Sequence, residues 1–237
     1  MKKLLGLLIV AGTVAALAMP ATAGTVFTYG WEDGTGTILG SSGNLVDPTN
    51  VTGPQDGLGG SAGPFTCPGA NSGDYYLHVA EEPHSGTPEA WIGWVTGLED
   101  GDTINAGFFG YDITADVSPS LRIWGHYTSG DSLTNVGSAG GSATYTSGIG
   151  WEELTHSWTF NSNLGARDGL VIQARLYSAP TTSEEHRTDY FIDDLTIEVD
   201  SIDGVYTVTT PGYSIDIPEP ATLALLGLGA IGLIRRR

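Results

Sequence analysis

Two short stretches carry side chains of one chemical kind. In SLRIWGHYT (Ser120–Thr128), Arg122, Trp124 and His126 share one parity, and in GLVIQARLY (Gly169–Tyr177), Gln173, Arg175 and Tyr177 share another. If the two stretches run side by side as strands, these six side chains form one face with an aromatic plane, amide and phenol groups, and guanidinium donors. Such a face stacks on a polyhydroxylated ring and bonds its edges, and arginine suits an acidic ring in particular. A sheet face wetted by solvent accounts for the same alternation. Arginine, histidine and tyrosine together would also supply the neutraliser, base and acid of a lyase, but no lyase motif accompanies them.

A second constellation is acidic. In YFIDDLTIEV (Tyr190–Val199), Asp193 shares parity with Leu195, Ile197 and Val199. That pattern predicts a carboxylate on the core side, where it must be paired or bound to a metal. Glu32 sits in YGWEDG, near the start of the chain. If the first and last strands are neighbours, Glu32 and Asp193 meet, and oxygen ligands of this kind suit calcium. Pairing with an arginine or a backbone amide is the alternative.

Other chemistries find no footing. The five histidines, His78, His84, His126, His156 and His186, show no zinc spacing. GLGGSAGP (Gly57–Pro64) follows no strand and opens no helix, so it is no phosphate cradle. No G-x-S-x-G occurs. Cys67 is the only cysteine, which excludes an intrachain disulfide.

The elements that must position these residues are strands. Helix signals are nearly absent between Gly24 and Ile217, while glycine-rich and polar turns separate short alternating runs. The runs are Asp74–Ala80, Ala90–Thr96, Asp102–Thr114, Ser120–Thr128, Glu153–Phe160, Gly169–Tyr177 and Tyr190–Val199. They predict an all-β fold, an antiparallel β-sandwich of jelly-roll type, spanning residues 24–199. Gly34–Gly73 and Asn135–Gly150 read as loops, the first long enough to hide short strands. Residues 200–217 read as a linker or an extra hairpin.

Charge sets the surroundings. Residues 24–217 hold 26 acids, four arginines and no lysine, a net charge of −22. Such a surface repels nucleic acid and anionic membrane. The other five tryptophans, Trp31, Trp91, Trp94, Trp151 and Trp158, read as core.

Both ends differ from the middle. Residues 1–23 join Lys2 and Lys3 to an apolar run and an Ala21-x-Ala23 site before Gly24, the pattern of a secretory signal peptide cut by signal peptidase. Residues 218–237 read IPEPATLALLGLGAIGLIRRR from Ile217: Pro218, Glu219, Pro220, an uncharged stretch at 221–234, then Arg235, Arg236 and Arg237. Fourteen residues make a helix of about 21 Å, short of the ~30 Å hydrocarbon core. This short transmembrane helix predicts transient inner-membrane contact with the arginines on the cytoplasmic side.

The three parts of that tail, in order, resemble the PEP-CTERM sorting signal of Gram-negative bacteria. The resemblance implies recognition by an exosortase at Pro218-Glu219-Pro220, and release to the cell surface or extracellular matrix. GWEDG, SLRIWGHY, GLVIQARLY and YFIDDLTIEV together resemble jelly-roll carbohydrate-binding modules of the galactose-binding-like type. That resemblance implies a structural calcium held by an early Glu and the Asp of the closing strand, here Glu32 and Asp193. The expected function is an exported surface or matrix protein, non-enzymatic and binding polysaccharide. A secreted lyase or hydrolase and a purely structural matrix component are the alternatives.

Overall fold

Period-two alternation buries one face of each strand, and here two sheets bury theirs against each other. The computed structural model describes residues 24–60, 63–83, 86–113, 120–148, 150–177 and 187–218. Fifteen strands follow in order: β1 (Thr25–Tyr29), β2 (Gly40–Ser42), β3 (Leu45–Thr52), β4 (Gln55–Leu58), β5 (Pro64–Cys67), β6 (Tyr75–Glu81), β7 (Glu89–Thr96), β8 (Thr103–Tyr111), β9 (Ser120–Ser129), β10 (Ser132–Gly140), β11 (Trp151–Thr159), β12 (Gly169–Tyr177), β13 (Thr188–Asp200), β14 (Tyr206–Thr209) and β15 (Ser214–Ile217).

One sheet has the order β11-β8-β13-β6-β3, with β1 also on β13; the other has β10-β9-β12-β7-β14-β15, with β2 also on β7. Every pairing between these strands is antiparallel. From β6 to β9 the chain changes sheet at each step, and β11, β12 and β13 do so again. This is the jelly roll that the strand pattern predicted. Gly34–Gly73, read as a loop, holds β2, β3, β4 and β5, and residues 206–217 form a hairpin joined to β7.

The core lies between the sheets. Leu77, Val79, Ile104, Phe108, Leu154, Trp158 and Ile197 from the first sheet meet Ile92, Leu121, Ile123, Leu170, Ile172 and Leu176 from the second. Full burial of such a side chain contributes about 1.5–3 kcal/mol. Outside the first sheet, the β4–β5 hairpin covers a smaller cluster of Cys67, Tyr76, Tyr111 and Phe191. Burial raises the Cys67 thiol above its ordinary range, so it is not poised as a nucleophile.

β13 departs from the predicted alternation. Its register with β8 shifts between Asp193 and Thr196, and Asp194 has φ +49°. The bulge changes phase, so Tyr190, Ile192, Leu195, Ile197 and Val199 all join the central core, whereas Phe191 joins the outer cluster. Asp193, read as facing the core with Leu195, instead shares the parity of Phe191.

The leader residues Ala21 and Ala23, the sorting residues Glu219, Pro220 and Arg235–Arg237, and the expected helices at both ends lie outside the described residues; Gly24 and Pro218 are described. Among the described residues, no helix is long and apolar enough to cross a membrane.

Candidate functional site

The six predicted face residues come from two strands that are neighbours. Gln173 of β12 stands opposite Trp124 of β9, and Arg175 opposite Arg122. On its other edge β12 pairs with β7, where Gln173 faces Trp91 and Arg175 faces Glu89. Two rows therefore cross the sheet, Trp124–Gln173–Trp91 and Arg122–Arg175–Glu89. At the usual strand spacing the two tryptophan backbones lie roughly 10 Å apart.

β2 closes one side. Ser42 stands opposite Glu89 and Gly40 opposite Trp91. A Cβ at Gly40 would come 2.5 Å from Trp91 Cε3, so the indole rests where only glycine leaves room. Trp91 reaches the outer face because of a bulge. The β7–β12 register steps from Gly93 to Trp91, which lets Ile92 and Val95 both enter the core.

A buried hydrogen-bonded chain supports the rows. Gln173 is fully buried, and its Nε2 donates to Glu89 Oε2 at 2.9 Å and to His126 Nδ1. His126 Nε2 reaches the Leu133 carbonyl at 3.0 Å. A carbonyl only accepts, so Nε2 carries the proton and Nδ1 accepts, which fixes the tautomer. Burial holds the His126 pKa below its ordinary value, and the ring is neutral at pH 7. Glu89 Oε2 also accepts from Ser42 Oγ at 3.0 Å and Trp91 Nε1 at 3.3 Å. Trp91 packs edge-on to His126, with centroids 5.0 Å apart.

The outer layer sits on this base. Arg175 lies 4.8 Å over the Trp124 ring, donates to Thr87 Oγ1 at 3.1 Å and stands 3.9 Å from Glu89. Trp124 Nε1 donates to Ser138 Oγ at 3.1 Å. Trp91, Trp124, Arg122 and Arg175 are half-buried, so their outer surfaces meet solvent.

Of the predicted residues, Arg122, Trp124 and Arg175 stand at the surface, while His126 and Gln173 lie beneath it. The side chain of Tyr177 is outside the described residues. Glu89 and Trp91 were missed. Trp91 reads as core because tryptophan is buried on average; AWIGWVT is apolar on both faces, and its bulge leaves no mark in composition. A glutamate opening a strand of that kind was the available signal. Trp31 and Trp158 are core as expected, whereas Trp94 and Trp151 are half-buried.

Both members of the acidic pair accept backbone amides. β1 and β13 are neighbours, with Tyr29 opposite Leu195. Glu32 accepts the amides of Asp74 and Tyr75 at 3.0–3.2 Å. Asp193 is fully buried; its Oδ2 accepts the amides of Asn71 at 2.9 Å and Ser72 at 3.2 Å, and its Oδ1 accepts that of Asp194 at 2.8 Å. One loop thus donates to both carboxylates, the backbone-amide alternative to a metal. Glu32, Asp193 and Asp194 all approach Gly30, where a Cβ would lie 3.4–3.9 Å from an atom of each, and among the described residues no three His, Cys, Asp or Glu side chains gather as a metal set. Chelation with EDTA should leave the melting temperature unchanged; a drop of several degrees in a thermal melt would show that a cation shares these oxygens.

An antiparallel jelly roll with a half-buried aromatic and polar sheet face defines the class. Residues 216–237 match the PEP-CTERM protein-sorting motif, so the chain carries that motif at its C-terminus. No curated protein matches the sequence. Among solved structures, the CBM22-1 xylan-binding domain of Paenibacillus barcinonensis Xyn10C is 12% identical, with TM-score 0.42, covering 77% of this chain and 99% of its own. The CBM22-2 xylan-binding domain of the same protein is 15% identical, with TM-score 0.43 and coverage of 73% and 98%.

Proposed function

We propose that this chain is an exported, non-enzymatic cell-surface or matrix protein, and that the outer face of β9, β12 and β7 binds polysaccharide. The observation that carries the reading is the pair of rows Trp124–Gln173–Trp91 and Arg122–Arg175–Glu89. Two indoles give stacking surfaces, and the charged row gives hydrogen bonds to ring hydroxyls. The buried Gln173–Glu89–His126 chain keeps the face preorganised, which lowers the cost of binding. A glycan array on the purified full-length chain tests this; no binding to any sugar would leave the structural matrix role.

The enzymatic alternative fares worse on one particular. A lyase base must reach the proton it removes. Both nitrogens of His126 are engaged and the residue is 1% exposed, so it serves as a support.

The sorting motif supports a route. The chain crosses the inner membrane of a Gram-negative cell, loses its leader to signal peptidase, and is handed to an exosortase that reads Pro218-Glu219-Pro220 while the apolar stretch holds it in the bilayer. Mass spectrometry of the mature protein from its host should find Gly24 as the first residue and Arg235–Arg237 missing. Intact termini on a cytosolic chain would overturn the route.

A further inference from the structure

The opposite side of the sandwich holds a cleft of about 600 Å³ between the β4–β5 hairpin and strands β6 and β13. That volume lies within the range of small-ligand sites. Leu58 and Phe65 form an apolar wall, and Asp56, Thr66, His78 and Asp189 line it with polar groups. We propose that this cleft is a second binding site, and that it takes an amine-bearing sugar unit.

The floor is fixed. Asp189 is 3% exposed and accepts from four donors: His78 Nε2 at 2.8 Å, Arg187 Nε at 2.9 Å, Arg187 Nη2 at 2.8 Å and the Leu58 amide at 2.6 Å. The last of these ties the hairpin to the sheet. The carboxylate is acceptor-only, so His78 Nε2 carries a proton there. His78 Nδ1 faces no partner among the described residues. Asp56 Oδ1 accepts from Thr66 Oγ1 at 2.7 Å, which orients that carboxylate and leaves Oδ2 for a ligand.

Charge selects among ligands. Arg187 spends its guanidinium on Asp189, on Asp47 at 2.6 Å and on Glu82 at 3.3 Å. With Asp56 the cleft and its rim carry four carboxylates against one guanidinium. An anionic ring is repelled, whereas an ammonium finds the free carboxylate oxygen of Asp56 and a half-buried aromatic ring, Phe65. The apolar wall beside that oxygen fits the two-sided character of a sugar ring, one face of C–H groups and an edge of donors.

The test follows the His78 and Thr66 resonances of the full-length chain by NMR during titration with a glucosamine tetramer. Saturable shifts are expected, at least tenfold weaker with the fully N-acetylated tetramer and at least tenfold weaker in Asp56→Asn. Asp56 is exposed, so this variant should fold, as circular dichroism will report. No shift with the glucosamine tetramer, or an equal affinity in Asp56→Asn, overturns the site. Equal binding of the acetylated tetramer overturns the charge selection, and equal binding of a plain diamine overturns the sugar. Asp56→Asn should retain wild-type polysaccharide binding on the β9-β12-β7 face, so the two readings fail separately.

Discussion

Trp124→Ala should weaken polysaccharide binding about tenfold, and Trp91→Ala about thirtyfold or more. A tryptophan at the centre of a contact surface is typically worth 2 kcal/mol or more on truncation, and 1.4 kcal/mol is tenfold. Trp124 loses its stacking face and releases Arg175, which lies 4.8 Å over the ring. Trp91 loses more. Its indole covers His126 and donates to Glu89, so alanine also loosens the support beneath both rows. Trp124→Phe should recover part of the loss, because a smaller ring still stacks. Isothermal titration with the polysaccharide found on the array decides it, with circular dichroism confirming the fold. Wild-type affinity in both alanine variants would remove this face from the binding reaction.

The second large effect is on stability against pH. Burial first, and the charge of Asp194 second, push the Asp193 pKa from 3.8 up to about 7. Between those values the folded protein holds a proton that the unfolded chain releases, so this carboxyl erodes stability as pH rises from about 4 to about 7. Above pH 7 it is ionised in both states, and the full cost of a shift of that size, about 4 kcal/mol, is present. That corresponds to roughly 8–16 °C in melting temperature for a chain of this size. His126 and His156 act in the opposite direction, because burial holds both pKa values below 6.5 and costs stability as pH falls. The comparison that isolates Asp193 is therefore wild type against Asp193→Asn. The variant should start lower at pH 4, since the hydroxyl oxygen of the protonated carboxyl still accepts an N–H and an amide nitrogen cannot, and it should lack the downward slope. Parallel melting curves for the two proteins across pH 4–8 would show that Asp193 is not the titrating group.

Much of the fold was legible because most strands obey one rule. Leu121, Ile123 and Tyr127 pack inward while Arg122, Trp124 and His126 point outward, as their alternation required. The misreadings fall where one extra residue changes the phase. Trp91 lies beside one bulge, in a run apolar on both faces, and Asp193 beside another, where the alternation past the bulge points to the wrong face. The site was half legible for a related reason. Alternation can place Gln173 on a face, but only the β7–β12 pairing brings Glu89 and Trp91 beside it, and pairing across more than 80 residues leaves no local trace. Nor does alternation say which outward residues a neighbour will cover, so His126 and Gln173 read as exposed and are buried.

The pairing of β1 with β13 has a consequence for biogenesis. Thr25 meets Val199, so the opening segment has no lateral neighbour until nearly the whole polypeptide exists. Contacts this distant in sequence make folding slow. On the export route proposed above, this opening segment stays unpaired while the chain is threaded outward, and the first sheet is completed only after β13 has emerged on the far side.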